Sequence, residues 1–317
     1  MDVLRVAAAR SLLASYFGPT PLSRAEALSA PGHALYLKNE TVLPTGSFKV
    51  RGALYALSAA LARGPVREVV AASTGNHGAA VAFAGEKLGV PARVFLPRDS
   101  NPVKVARIRA LGATLVEAGA DLSAAIDAAN DHATRAGALF LHDASSADVP
   151  IGTATIGAEL LEQLPGLDAA YIPMGDTALI RGVSTALRSA PRRIRIVGVV
   201  AEAAPAYRLS WKAGPVVETG PVQTMADGLA VRRPLAPNVD AIRELIDDVV
   251  VVGEGEMVDA IVRLHENEGL VAEPSGAAAL AAWFRDTARQ GIGVALVTGR
   301  NISPDLARTC GIAIEMP

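Results

Sequence analysis

The sequence predicts an α/β protein made of two parallel-sheet units, and three observations predict it. Short apolar runs rich in Val, Ile and Ala alternate with segments of helical period along most of the chain. The alternation restarts at Thr155–Gln163, after a first set that ends at Ala138–Leu141. Apolar residues make up 50% of the chain but aromatics only 4%, so the core is aliphatic, as in a sheet covered by helices.

In chain order, Val66–Ala72 reads as a buried strand and Gly75–Leu88 as the helix after it. Ala92–Leu96 is a strand, Pro102–Leu111 a helix and Thr114–Glu117 a strand. Asp121 caps a helix from Leu122 to about Arg135, and Ala138–Leu141 is the next strand. In the second set, helix Thr155–Gln163 precedes strand Ala169–Pro173 and helix Leu179–Ser189. Ile194–Val200 is a nearly continuous apolar strand. A less regular stretch follows, then helices at Met257–Asn267 and Ser275–Arg289 and a strand at Val294–Val297. Strand–helix alternation of this kind implies parallel strands with right-handed crossovers. No repeat or long linker is visible, so short connections are expected, with a cleft between the units.

The 317 residues suffice for two ordinary domains, and a net charge of −2 argues against binding nucleic acid or an anionic membrane by bulk charge. Cys310 is the single cysteine, so no intrachain disulfide forms; it reads as a packing residue. The N-terminal helical period carries Asp2, Arg5 and Arg10 and lacks a secretory layout. No uncharged apolar run reaches the length of a membrane span, so a cytoplasmic protein is expected.

Five segments carry candidate chemistry. Pro44–Gly52 is a turn running into Lys49 at a helix start, where the helix dipole disfavours a cation and burial favours a nucleophilic amine. Taken alone, an exposed lysine in a capped turn is the simpler reading. Ser73-Thr74-Gly75-Asn76-His77-Gly78 follows a strand directly and offers backbone N–H groups and hydroxyls to an anion; an ordinary capped helix fits as well. Pro173–Gly182 is a strand–turn–helix of phosphate-binding layout, weakened by Asp176. Glu273-Pro274-Ser275-Gly276-Ala277 and Thr298-Gly299-Arg300-Asn301 are polar turns, the second just past a strand, where α/β folds bind ligands.

Together these segments resemble one family, the fold-type II pyridoxal 5′-phosphate (PLP) enzymes, in the threonine/serine dehydratase and serine racemase branch. PTGSFKVRGA, STGNHG, GTATIGAEL (Gly152–Leu160), TMADGLAV (Thr224–Val231) and EPSGA match in order and spacing. The resemblance runs from about Thr20-Pro21-Leu22 to Asn301. It implies two three-layer domains with the cofactor in the cleft between them. Residues 1–70 and 145–317 would form the large one, with 71–144 inserted as the small one.

The resemblance further implies that Lys49 binds PLP as a Schiff base, with Phe48 and Glu273 beside the cofactor. Asn76 would bond its phenolic oxygen, and Gly175, Asp176, Thr177, Ala178 and Leu179 would hold its phosphate. Thr298 would stand beside the pyridine nitrogen. Ser73, Thr74, Gly75 and His77 would grip the substrate carboxylate, with Ala144 near its side chain. A hydroxyl at Thr298 cannot keep the ring nitrogen protonated, which suits prompt loss of a β-substituent. The activity implied is β-elimination from a 3-hydroxy amino acid: Lys49 takes the α-proton, the β-hydroxyl leaves, and a 2-oxo acid and ammonia result.

Several residues depart from the family's pattern. The phosphate loop, typically four glycines, reads Gly175-Asp176-Thr177-Ala178 here. Thr74 stands where racemases of the branch carry a serine base, which makes racemisation the second choice. Glu202 fits the branch's metal site, but Arg208 falls on its aspartate position, so no Mg²⁺ or Ca²⁺ site is expected. Ala144 replaces an aromatic, which points to a substrate bulkier than serine, such as a phenylserine. No effector domain is expected after the catalytic region, and a homodimer is the default assembly. His77 argues against a β-replacement synthase, and no G-x-G-x-x-G follows a strand, which argues against a nicotinamide enzyme. A protein of this fold without the cofactor would be colourless.

Overall fold

A computed structural model describes residues 3–98, 100, 102–289 and 291–313. The first elements are α1 (Val3–Leu13), β1 (Leu22–Arg24), β2 (Ala34–Asn39), α2 (Lys49–Arg63), β3 (Val69–Ala72) and α3 (Asn76–Leu88). Next come β4 (Ala92–Leu96), α4 (Pro102–Ala110), β5 (Thr114–Glu117), α5 (Leu122–Ala136), β6 (Leu139–Phe140) and α6 (Val149–Gln163). Then follow β7 (Ala169–Pro173), α7 (Ala178–Leu187), β8 (Arg195–Ala201), α8 (Ala206–Ala213), α9 (Ala236–Leu245) and β9 (Asp248–Val252). The last are α10 (Glu254–Glu268), α11 (Pro274–Arg285), β10 (Ile292–Val297) and α12 (Pro304–Thr309).

The chain divides into two units: one holds residues up to Gly18 and Phe48–Thr153, the other Pro19–Ser47 and the chain from Ala154. This division differs from the expected insertion of 71–144, because α1, α2 and the start of α6 go with the smaller unit. Two glycines explain it. A Cβ on Gly52 would lie 2.7 Å from Val149 Cγ1, and one on Gly152 would overlap the Arg51 carbonyl oxygen. Helix α2 therefore lies against the first turn of α6 at nearly backbone contact, and the two cannot be parted at residue 145.

The smaller unit carries a four-stranded parallel sheet in the order β5-β4-β3-β6. Helix α5 is fitted to it by Ala125, Ala129 and Ala133, spaced four apart on one helix face and buried with Val70, Ala72 and Phe95. Asp121 accepts from the Ala124 N–H at 2.9 Å, as the capping pattern predicts.

The other unit carries a six-stranded sheet in the order β1-β2-β10-β7-β8-β9, parallel except for β1. Helix α11 is buried along most of its length, with Ala277, Ala278, Ala279, Ala281 and Ala282 letting it pass close over the strands. Trp283 meets the Tyr171 ring edge-on, with centroids 5.6 Å apart. Lys38, wholly buried on β2, donates to Glu159 at 2.6 Å and to Gln163 at 2.8 Å, tying β2 to the end of α6.

Candidate active site

Adjacent parallel strands release their chains side by side, so residues just past the carboxyl ends of neighbouring strands come together. In the smaller unit β3 pairs with β6. Ser73–Asn76 leave the first strand and Asp143–Ala144 follow the second. In the other unit β7 pairs with β10, so Gly175–Ala178 leave beside Thr298.

Lys49 opens α2. Gly46, at φ +64°, makes the preceding turn; a side chain there would meet Asn301 Oδ1 at 2.8 Å. The turn is stitched to the segment just past β10 by Arg300 N donating to the Gly46 carbonyl at 2.9 Å and Asn301 Nδ2 to the Thr45 carbonyl at 3.1 Å. The Lys49 side chain is 19% exposed, and Nζ lies 5.3 Å from the centre of the Phe48 ring. Nζ donates to Asp143 Oδ2, an ion pair with a carboxylate that is itself buried. Burial, the largest single influence, pushes the Asp143 carboxyl up, but the Lys49 charge, the field of His77 and the Lys49 hydrogen bond together outweigh it and hold the group well below the ordinary carboxylate range.

The Ser73–Gly78 loop begins where β3 ends, fully buried up to Ala71. Gly75 is the N-cap of α3, so neither Ser73 nor Thr74 caps the helix; Ser73 Oγ instead accepts from the Gly75 N–H at 3.1 Å. Gly75 has no side chain with which to cap α3, and Ser73, Thr74, Gly75 and Asn76 are all partly exposed around that end. His77 is buried, and its Nε2 pairs with the Leu141 carbonyl at 2.8 Å, which places the proton on Nε2. Its Nδ1 stands 3.9 Å from Asp143 Oδ2. Burial pushes the imidazole down, Asp143 pulls it up and Lys49 pushes it down again; the result lies below its ordinary value. The His77 ring is thus an anchor of α3 to the end of β6. Ala144 is buried directly after Asp143.

In the other unit, Gly175 passes so close to the Gly228 carbonyl that a Cβ would overlap it. That contact joins the 173–182 segment to TMADGLAV, and Gly228 N in turn donates to Ser275 Oγ of EPSGA at 3.0 Å. Gly276 and Glu273 lie equally close to Gly299, so EPSGA and Thr298–Asn301 are packed together. Thr298 is buried, and its hydroxyl makes a long 3.4 Å bond to the Ser275 carbonyl.

Thr177 is the N-cap of α7 in a left-handed conformation, φ +67°, and its side chain does not cap the helix. Its hydroxyl is buried without a hydrogen-bond partner, and it stands close enough to the Tyr207 hydroxyl to favour that group's ionised form slightly. Burial and then the charge of Asp176 push the Tyr207 phenol up. An uncapped helix end, a buried unpaired hydroxyl and a glycine under close backbone approach fit a phosphate. The residues present therefore suit PLP.

Asp143 was not predicted from the sequence. Its signal was there to be used: an acid just past the carboxyl end of the last strand of the first set.

Comparison with known proteins supplies the identity. The family described as "Pyridoxal-phosphate dependent enzyme" matches residues 13–299. An L-threonine ammonia-lyase of Geobacter sulfurreducens is 38% identical over 286 residues, 90% of this chain and 70% of that protein. A phenylserine dehydratase of Ralstonia pickettii is 31% identical over 316 residues, 98% and 97% of the two chains. Among solved structures, maize serine racemase superposes with a TM-score of 0.90 at 30% identity, covering 97% of this chain and 96% of that one. With the site's order of motifs, its two parallel sheets and these matches in agreement, the chain belongs to the fold-type II pyridoxal-phosphate-dependent enzymes, in the threonine/serine dehydratase branch.

Proposed function

We propose that this protein is a lyase that removes water and then ammonia from a 3-hydroxy amino acid, leaving a 2-oxo acid. The observation that carries the reading is Lys49, a largely buried amine held by Asp143 in the same unit as the glycine-capped start of α3. The overall change balances: the zwitterionic substrate becomes a 2-oxo acid anion and ammonium, the water lost in elimination being regained when the product hydrolyses.

Bound PLP supplies an electron sink for the pair left at Cα. Lys49 removes the α-proton as general base. The amides of α3, with the hydroxyls of Ser73 and Thr74, hold the substrate carboxylate, and His77 contributes by keeping α3 in place. Asn76 would bond the cofactor's phenolic oxygen, and Phe48 and Glu273 would pack on it. Thr177 Oγ1 and the amides of Gly175–Leu179 would hold its phosphate. Thr298 would offer the ring nitrogen a hydroxyl, which would keep the sink weak and favour prompt departure of the β-hydroxyl.

Ala144 leaves room for a side chain larger than that of serine, and the likeness to a phenylserine dehydratase and a threonine ammonia-lyase supports that substrate class. In this reading the enzyme is a cytoplasmic homodimer with a small-molecule substrate. Release of 2-oxo acid from serine, threonine and 3-phenylserine tests it, with Lys49→Ala in parallel. Turnover and yellow colour are expected from the parent and absent from the variant. A variant that keeps both overturns the reading. Thr74 and the likeness to maize serine racemase favour amino-acid racemisation as the second reading, and chiral analysis of the residual substrate decides between them.

A further inference from the structure

We infer that Asp143 is a positioning residue that strengthens Lys49 as a base, by holding the ammonium that forms when Nζ takes the α-proton. The inference rests on the proposed role of Lys49. In that step the Cα–H bond breaks, its electron pair passes to the sink that PLP provides, and the proton bonds to the Nζ lone pair. Asp143 keeps its charge throughout and accepts a hydrogen bond from Nζ.

The geometry for this is already built. Asp143 Oδ2 is the acceptor of the Nζ hydrogen bond, and the Asp143 side chain is 10% exposed, so water screens the pair weakly. The charged or titratable groups facing it come from three places: Lys49 on α2, His77 on α3 and His142 on its own segment. His77 cannot do the same work. Its Nε2 proton goes to the Leu141 carbonyl, its Nδ1 is 3.9 Å away, and burial keeps the ring neutral at neutral pH. Removing the α-proton converts a neutral amine into a cation in a site with little water. A fixed carboxylate at contact distance favours the product of that step over its reactant.

The conservative variant Asp143→Asn keeps the shape and one acceptor oxygen, and Asp143→Glu keeps the charge. Two measurements separate a positioning role from a structural one. In enzyme freed of cofactor, modification of Lys49 by trinitrobenzenesulfonate is followed against pH and located by peptide mass. The expected result is a half-reaction point lower by about one pH unit in Asp143→Asn and near the parent's in Asp143→Glu. In the loaded enzyme, kcat for α-protiated and α-deuterated substrate is compared. Asp143→Asn is expected to lose about 10- to 100-fold in kcat, with KM little changed and a larger deuterium effect. An unmoved labelling curve overturns the inference. So does a loss of kcat that follows cofactor content with an unchanged isotope effect. The labelling curve requires no turnover, so it judges the Lys49–Asp143 pair even if Lys49→Ala refutes the proposed reaction.

Discussion

Thr177 is the one described non-glycine residue with a left-handed backbone, a conformation that costs a β-branched residue about 1–2 kcal/mol. Its hydroxyl is buried and unpaired at the open end of α7. Strain and an unsatisfied donor at one residue make sense together if an anion repays both. Thr177→Gly should leave the stability of cofactor-free enzyme within about 1 kcal/mol, because relief of strain offsets glycine's greater freedom in the unfolded chain. The same variant should bind PLP more weakly. Thermal unfolding and a cofactor titration check the two halves. Motif order is what nominates Lys49, Asn76 and Thr298 as candidates. Asp143 is not among them, because its meaning depends on a lysine 94 positions away that only folding brings to it.

Helices and strands followed from local pattern wherever the pattern was regular. The strands Ala92–Leu96, Thr114–Glu117 and Ala169–Pro173 lie where the apolar runs place them. Helix α6 begins at Val149, six residues before the expected Thr155, because Pro150 suits a first turn and Gly152 allows close packing on α2. The stretch from Ala201 to Gly253, too irregular to assign, folds into α8, α9 and β9, and β1 and β2 were also unassigned. The short β1 has only three residues, too few for a period to show. Gly152→Ala presses a methyl into the Arg51 carbonyl, backbone against backbone. It should cost about 1–3 kcal/mol in a urea unfolding experiment and lower the cofactor content, since Arg51 lies two residues from Lys49.

At the scale of the whole molecule, buried ionisable groups set how stability follows pH. His77 has a folded value below its ordinary 6.5, so the unfolded chain binds a proton that the folded one refuses. Its contribution is therefore present above about pH 6.5 and is lost as pH falls through the folded value. Asp143, held below its ordinary 3.8, contributes stability above that value and loses it only in stronger acid. Unfolding free energy should fall in two stages on acidification from neutrality. Asp143→Asn should diminish the second stage and leave the first in place. Denaturant midpoints measured from pH 7 to about pH 2 test the order.

The sequence by itself determined the fold class, the cofactor family and the elements of regular period, and it nominated candidate site residues, because these rest on local spacing and on motif order. Only the tertiary structure decided where the chain divides, that His77 is an anchor for α3, and that Asp143 faces Lys49. Each of those depends on a contact between distant segments: a helix pair closing on Gly52 and Gly152, a carbonyl at the end of β6, a carboxylate just past that strand. Local pattern records which faces are apolar. It does not record which buried polar group will meet which, and in this protein the carboxylate that Lys49 meets is Asp143.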